Sequence, residues 1–279
     1  MQCVCKISRL SLVDCNYRTG LPVRKPRVKV SIIIPAYNEE SRLPHTLMKT
    51  ATYLAKQAYS SEIIVVTDGS TDGTEQVVED AATRYGGIRL ISLPKNRGKG
   101  FSVKYGMINA FGDYRLFMDA DYAVPIEYLN DFLAEIEKGS DLIIGSRSHQ
   151  DTRIGSPQAF PRRQFAITFG YLQRAILRMP FLDTQCGFKM FTADAVKLLF
   201  PHIVYECAYF DAELLYVATK MGLNVKEIGV KWTHDHQTRL PIGLNRSLDL
   251  FQKLIAIPSL HADKQPVSRT RQFALEEVR

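Results

Sequence analysis

Asp119-Ala120-Asp121 closes the apolar run Leu116-Phe117-Met118, so two carboxylates stand one residue apart where a strand should end. Like charges at that separation repel unless something positive lies between them. Hard oxygen donors so spaced suit Mg²⁺ or Mn²⁺, which complete their shells with water and substrate phosphate. Asp119 and Asp121 therefore predict a metal carrying a diphosphate, although an isolated pair of this kind in a turn would be an ordinary surface feature.

Other polar clusters share that setting. Asp68-Gly69-Ser70-Thr71-Asp72-Gly73-Thr74 follows the run Ile63-Ile64-Val65-Val66 and reads as a tight turn into a helix that Thr71 or Asp72 caps, with Asp68 able to accept from a base or ribose. Asn96-Arg97-Gly98-Lys99-Gly100 offers glycines for close approach and cations for phosphate ahead of a helix. No GxxxxGK[ST] is present, and the first strand is followed by Pro35-Ala36-Tyr37-Asn38-Glu39 where a dinucleotide site would place GxGxxG. A P-loop and a dehydrogenase are both disfavoured.

The elements that must hold these clusters alternate. Apolar runs begin at Val30, near Glu62, at Ile88, at Tyr114 and at Asp141, and helical spacing fills the intervals to about Gln57, over 75–85 and over 101–111. Runs apolar on both faces, alternating with helices, predict an α/β fold around a mostly parallel sheet covered on both sides. Ligands bind such sheets beyond the carboxyl ends of the strands, where all five polar clusters fall, Gly145-Ser146-Arg147 included. Residues 1–29 are basic, carry Pro22 and Pro26, and read as a flexible lead-in; 30–232 reads as the main domain, and 233–279 as an amphipathic segment with a polar tail.

The 279 residues carry a net charge of +7, which favours anionic partners. No nucleic-acid-reading module accompanies that charge, so nucleic acid is not the expected partner. Five cysteines, an odd number without CxxC spacing, predict reduced thiols and a cytosolic setting. No apolar run reaches the ~18 residues of a membrane span. Two basic amphipathic stretches, 162–179 and 242–254, instead predict a peripheral position on a membrane surface. Thr233-His234-Asp235-His236 reads as a polar loop rather than a metal cluster, and Trp232 as a core or interface residue.

Together the IIIPAYNE opening, DGSTDGT, NRGKG, the Asp119/Asp121 pair and the Gly-Ser-Arg ending at Arg147 resemble the inverting glycosyltransferases of family 2, whose fold is GT-A. Asp183-Thr184-Gln185-Cys186-Gly187-Phe188-Lys189 and Phe210-Asp211-Ala212-Glu213-Leu214 look like its dolichyl-phosphate glucosyltransferase branch. The resemblance spans about Val30 to Trp232. It departs from the family at Thr67, where relatives often have a second Asp, and at Tyr122, where they often have Gly.

The resemblance implies transfer of glucose from UDP-glucose to a polyprenyl phosphate at the cytosolic face of a membrane. Pro35, Tyr37, Glu39 and Asp68 would hold uridine, with Lys99 nearby, and Asp119 and Asp121 the Mg²⁺ or Mn²⁺. Arg147 with Arg162 and Arg163 would take the acceptor phosphate; Gln185 and Lys189 would contact the donor, and Glu213 and Asp211 a sugar hydroxyl or the positioning of a helix. Two alternatives stay open: another donor such as GDP-mannose or a soluble acceptor within the family, and a nucleotide-binding regulator without turnover.

Overall fold

The computed structural model describes residues 28–147, 170–233 and 244–266. Its order opens as four β–α units: β1 (Val30–Ala36), α1 (Leu43–Leu54), β2 (Ser61–Asp68), α2 (Thr74–Tyr85), β3 (Ile88–Leu93), α3 (Lys99–Ile108), β4 (Tyr114–Met118) and α4 (Leu129–Ile136). Then come β5 (Leu142–Ser146), helical residues 170–177 (α5), β6 (Phe188–Thr192), α6 (Ala193–Leu199), α7 (Phe210–Lys220), β7 (Val225–Gly229) and α8 (Leu244–Leu260).

The seven strands form one sheet in the order β3-β2-β1-β4-β6-β5-β7. Every neighbouring pair is parallel except β4–β6 and β5–β6, so β6 alone runs backwards. The mostly parallel α/β sheet expected from the apolar runs is the one observed. Alternate residues of each strand serve opposite faces. Ile33, Ile64, Val66, Phe117 and Phe191 enter the core beneath α3, α6 and α7, whereas Ile32, Ile34, Val65, Leu116, Phe188 and Met190 enter the core beneath α1, α2 and α4.

Three boundaries differ from the sequence reading in ways that matter. β4 stops at Met118, leaving Asp119 and Asp121 in the turn beyond it. α3 begins at Lys99 rather than at 101, because Gly98 takes φ +107° and lets the chain turn straight into the helix. The stretch after 232, expected as an appended segment, sends Leu250, Leu254 and Ile257 inward, with Leu254 and Ile257 joining the core. Of the 162–179 stretch, Arg162 and Arg163 lie outside the described residues; the described helix ends where Arg178 takes φ +51°.

Candidate active site

The rim beyond β1, β2, β4 and β5 is assembled by side chains that lace each loop to the next. Asn38, in the left-handed region at φ +54°, donates its amide to Ser70 Oγ (3.1 Å) and accepts from Thr71 N at Oδ1 (2.8 Å). Glu39 N donates to Thr74 Oγ1 (2.7 Å), and Gly73 N to Glu40 Oε2 (2.7 Å). The cap expected of Thr71 or Asp72 falls instead to Gly73, without a side-chain cap bond, while Asp72 Oδ1 accepts from Thr74 N at 3.0 Å in the turn before the helix.

Asp68 laces the second loop to the third. Its carboxylate accepts from Arg97 N (2.8 Å) and Gly98 N (2.7 Å) and is nearly buried. In this arrangement Asp68 shapes the Asn96–Gly100 loop. Gly69, at φ +68°, lies against the backbone of Lys95, where a Cβ would come within 2.6 Å of the carbonyl carbon.

Lys99 laces the third loop to the fourth: its Nζ stands 2.6 Å from Asp119 Oδ1. A lysine in the first turn of α3 meets the positive end of the helix dipole, and Asp119 offsets that. Burial works against the ammonium, but Asp119 and then Asp211 outweigh it and hold Lys99 well above its usual range. Asp121 moves the other way. Burial and the neighbouring Asp119 push its carboxyl up to about 6, while Arg42 and Lys99 pull it down. Its Oδ1 accepts from Ala123 N at 3.0 Å.

The loop before β6 arrives at this rim from the opposite direction. Asp119 N donates to Gly187 O (3.1 Å), and a Cβ on Gly187 would overlap the Asp119 carboxylate, so a larger residue there must displace that carboxylate. Asp183, in the same loop, accepts from Arg147 N (2.9 Å), Nε (2.7 Å) and Nη2 (2.9 Å). Burial opposes charge on both, yet each partner outweighs it: Asp183 falls to about 2 and Arg147 is held above its usual range. Glu227 on β7 receives Leu182 N and Asp183 N at 2.9 Å each, fixing the loop from below. Arg147 also lies over the Trp232 ring at 5.6 Å, and Trp232 packs partly against the core, as expected of it.

The expected residues thus divide. Pro35, Tyr37, Glu39, Lys99, Asp119, Asp121 and Arg147 all stand at the rim, Tyr37 exposed and Glu39 gripped by Arg42 (Nε–Oε2 2.7 Å). Gln185 is there too, half-buried, its backbone N donating to Asp183 Oδ1 at 3.0 Å. Lys189 and Glu213, read from sequence as donor and sugar contacts, are instead fully buried. Lys189 Nζ is spent on Asp211 Oδ1 and Cys186 O, both at 2.6 Å, because an ammonium inside a sheet needs a counter-charge and acceptors. Asp211 is shielded with it, and burial raises its carboxyl despite Lys189. Glu213 accepts from Val204 N and Tyr205 N, which fits the helix-positioning half of its expectation and leaves no face for a sugar.

Sequence reading missed Arg42, Asp183 and Gly187. Glu39 and Arg42, three apart at the start of a helix, carried a signal for the first. Asp183 and Gly187 sat inside a stretch whose partners lie 36 and 68 residues away.

The donor set fits a hard divalent cation. Asp119 and Asp121 offer carboxylate oxygens, burial and then Asp119 raising the Asp121 carboxyl, and no cluster of three or more acidic, thiol or imidazole groups suited to a metal occurs among the described residues. Waters and donor phosphates would have to fill the remaining positions, as Mg²⁺ and Mn²⁺ prefer.

Acidic and basic side chains gathered at the carboxyl rim of a mostly parallel sheet mark a ligand site of an α/β fold, and the comparisons identify that fold as a GT-A glycosyltransferase. The family model "Glycosyl transferase family 2" matches residues 31–200, and the chain belongs to that family. Among curated relatives, the dolichyl-phosphate beta-glucosyltransferase ALG5D of Trichomonas vaginalis is 37% identical over 242 residues, covering 82% of this chain and 73% of that one. The dolichyl-phosphate beta-glucosyltransferase of Homo sapiens is 34% identical, covering 77% and 70%. In fold the chain is similar to glucosyl-3-phosphoglycerate synthase from Mycobacterium tuberculosis, solved with Mn²⁺ and UDP-glucose, at a TM-score of 0.62 and 19% identity over 86% of this chain and 81% of that one.

Proposed function

We propose that the protein transfers glucose from UDP-glucose to a dolichyl-type polyprenyl phosphate with inversion. The observation that carries this reading is the 37% identity, over most of both chains, with a protein named for that glucosyl transfer. Tyr37, Glu39 and the loop shaped by Asp68 hold the uridine, Arg42 keeping the Glu39 carboxylate oriented. Lys99 faces the diphosphate. Asp119 and Asp121 hold Mg²⁺ or Mn²⁺, which when bound offsets charge developing on the departing UDP.

Arg147, its Nε–Nη2 edge fixed by Asp183, presents the rest of its guanidinium to the acceptor phosphate together with Arg162 and Arg163. A phosphate monoester has a second pKa of roughly 6 and is largely dianionic at neutral pH. Its oxygen attacks C1 without a general base, the C1–O bond to UDP breaks, and UDP leaves with the bonding electrons, inverting the anomeric centre. The protein's contribution is then positioning and charge stabilisation.

The acceptor implies a membrane surface, on its cytosolic side. α8 presents Phe251, Ile255 and Leu260 outward, and among the described residues no helix is long and apolar enough to cross a bilayer. Radiolabelled UDP-glucose, GDP-mannose and UDP-GlcNAc, each incubated with polyprenyl phosphate, test the whole reading. An organic-extractable product from UDP-glucose alone is expected; product from another donor moves the sugar assignment, and none from any donor defeats the lipid acceptor.

A further inference from the structure

The C-terminal segment connects to the loop behind the rim through a buried histidine. The residue after α8, His261, turns into the core and is 1% exposed. Its Nε2 lies 2.8 Å from Glu213 Oε1 on α7. Facing a carboxylate, Nε2 carries the proton and donates. Nδ1 is buried and has no hydrogen-bond partner among the described residues. The ring therefore makes a single polar contact and forfeits stability at its other nitrogen, which a leucine in the same place would not.

What that contact holds is visible from Glu213. The same carboxylate accepts from Val204 N (2.9 Å) and Tyr205 N (2.8 Å), two amides of the loop ahead of α7. That loop is the backing of the Lys99 turn. Phe101 N donates to Glu206 O (3.2 Å), Arg97 pairs with Glu206, and a Cβ on Gly100 would come within 2.7 Å of Tyr205 O. Tyr205 also donates its hydroxyl to Lys253 O on α8 (2.9 Å), a second tie between the same parts.

We infer that His261 is a positioning residue for the donor site: it fixes Glu213, Glu213 fixes the 203–207 loop, and the loop sets Lys99 against Asp119. α8 is thereby part of the donor machinery, and whatever disturbs its C-terminal end is felt at the diphosphate. The effect on donor affinity rests on the proposed role of Lys99; the mechanical link does not.

The test compares His261→Leu, His261→Gln and, as a control of the opposite core, Leu133→Ala, in the full chain. Amide exchange is followed in 95–103 and 203–210, and UDP affinity is measured by calorimetry with Mn²⁺. His261→Leu should speed exchange in both segments and weaken UDP binding roughly three- to thirtyfold. His261→Gln, whose amide still donates to Glu213, should restore both, and Leu133→Ala should alter neither beyond its general loss of Tm. Faster exchange confined to 203–210, or UDP affinity that simply follows Tm across the variants, overturns the inference. Should His261→Leu fail to fold, His261→Met, which equally lacks a donor for Glu213, carries the same expectation for 95–103, and unchanged exchange there is equally fatal. A wild-type chain that binds no UDP defeats the donor reading, while the exchange data still decide the link.

Discussion

Asp119 and Asp121 differ in their surroundings although they are one residue apart. Lys99 neutralises the first, whereas burial and the first push the carboxyl of the second up to about 6. Asp121→Asn keeps the shape and removes one of the two charges proposed to hold the metal, so turnover should fall at least about a hundredfold while the circular dichroism spectrum stays unchanged. Unchanged turnover would remove Asp121 from the site. Gly187→Ala asks about the neighbour that confines Asp119. The added methyl overlaps the carboxylate, so Mn²⁺ affinity should drop about tenfold and stability by roughly 1–3 kcal/mol, read by calorimetry and urea unfolding. The carboxylate pair was legible because its spacing is local. Gly187 was not, since its closeness to Asp119 arises only when β6 lies beside β4. Tyr122, singled out in sequence as standing where relatives often have Gly, takes φ +54°, the conformation that glycine adopts without strain. Its ring meets His45 edge-on at 5.3 Å and its hydroxyl accepts from Ile126 N at 3.3 Å, contacts a glycine would lack.

At the scale of elements, β1 to β5 were legible because each is a continuous apolar run ended by a turn signal. β6 and β7 were not, for an electrostatic reason. Phe188-Lys189-Met190-Phe191-Thr192 has a lysine at its second position, and Val225-Lys226-Glu227-Ile228-Gly229 two adjacent charges. Lys189 reads as a surface or ligand residue until Asp211, on α7, is known to lie 2.6 Å away inside the core. Breaking one side of this pair leaves a buried charge alone. Lys189→Met or Asp211→Leu should each lose about 3–5 kcal/mol in urea unfolding, whereas the two together should lose far less than the sum. Additive losses would show that the pair does not act as a unit. α8 misled in the other direction: its basic amphipathic pattern pointed outward, yet Leu254 and Ile257 belong to the core on the other side of the same helix.

For the molecule as a whole, the Arg147–Asp183 bridge ties the end of β5 to the loop entering β6, and it titrates. Asp183 has an ordinary value of 3.8 and is held at about 2 when folded. A carboxyl lowered on folding stabilises the protein fully above its unfolded value and gives that up as pH falls through its folded value. The wild type should therefore lose stability between about pH 4 and pH 2 more steeply than Asp183→Asn, and equal slopes in acid-dependent urea midpoints would refute the assignment. The strand that the bridge serves also fixes an order of assembly. β1 to β4 follow one another in the chain and pair among themselves, but among the described strands β5 hydrogen-bonds to β6 and β7 alone, which are made later. A nascent chain that has reached residue 147 can pair β1 to β4 while β5 waits with both edges bare, open to pairing with a neighbouring chain. The loop behind Lys99 and the partner of Arg147 emerge only with residues 183–207, so the part of the chain made later completes a rim that the earlier part begins.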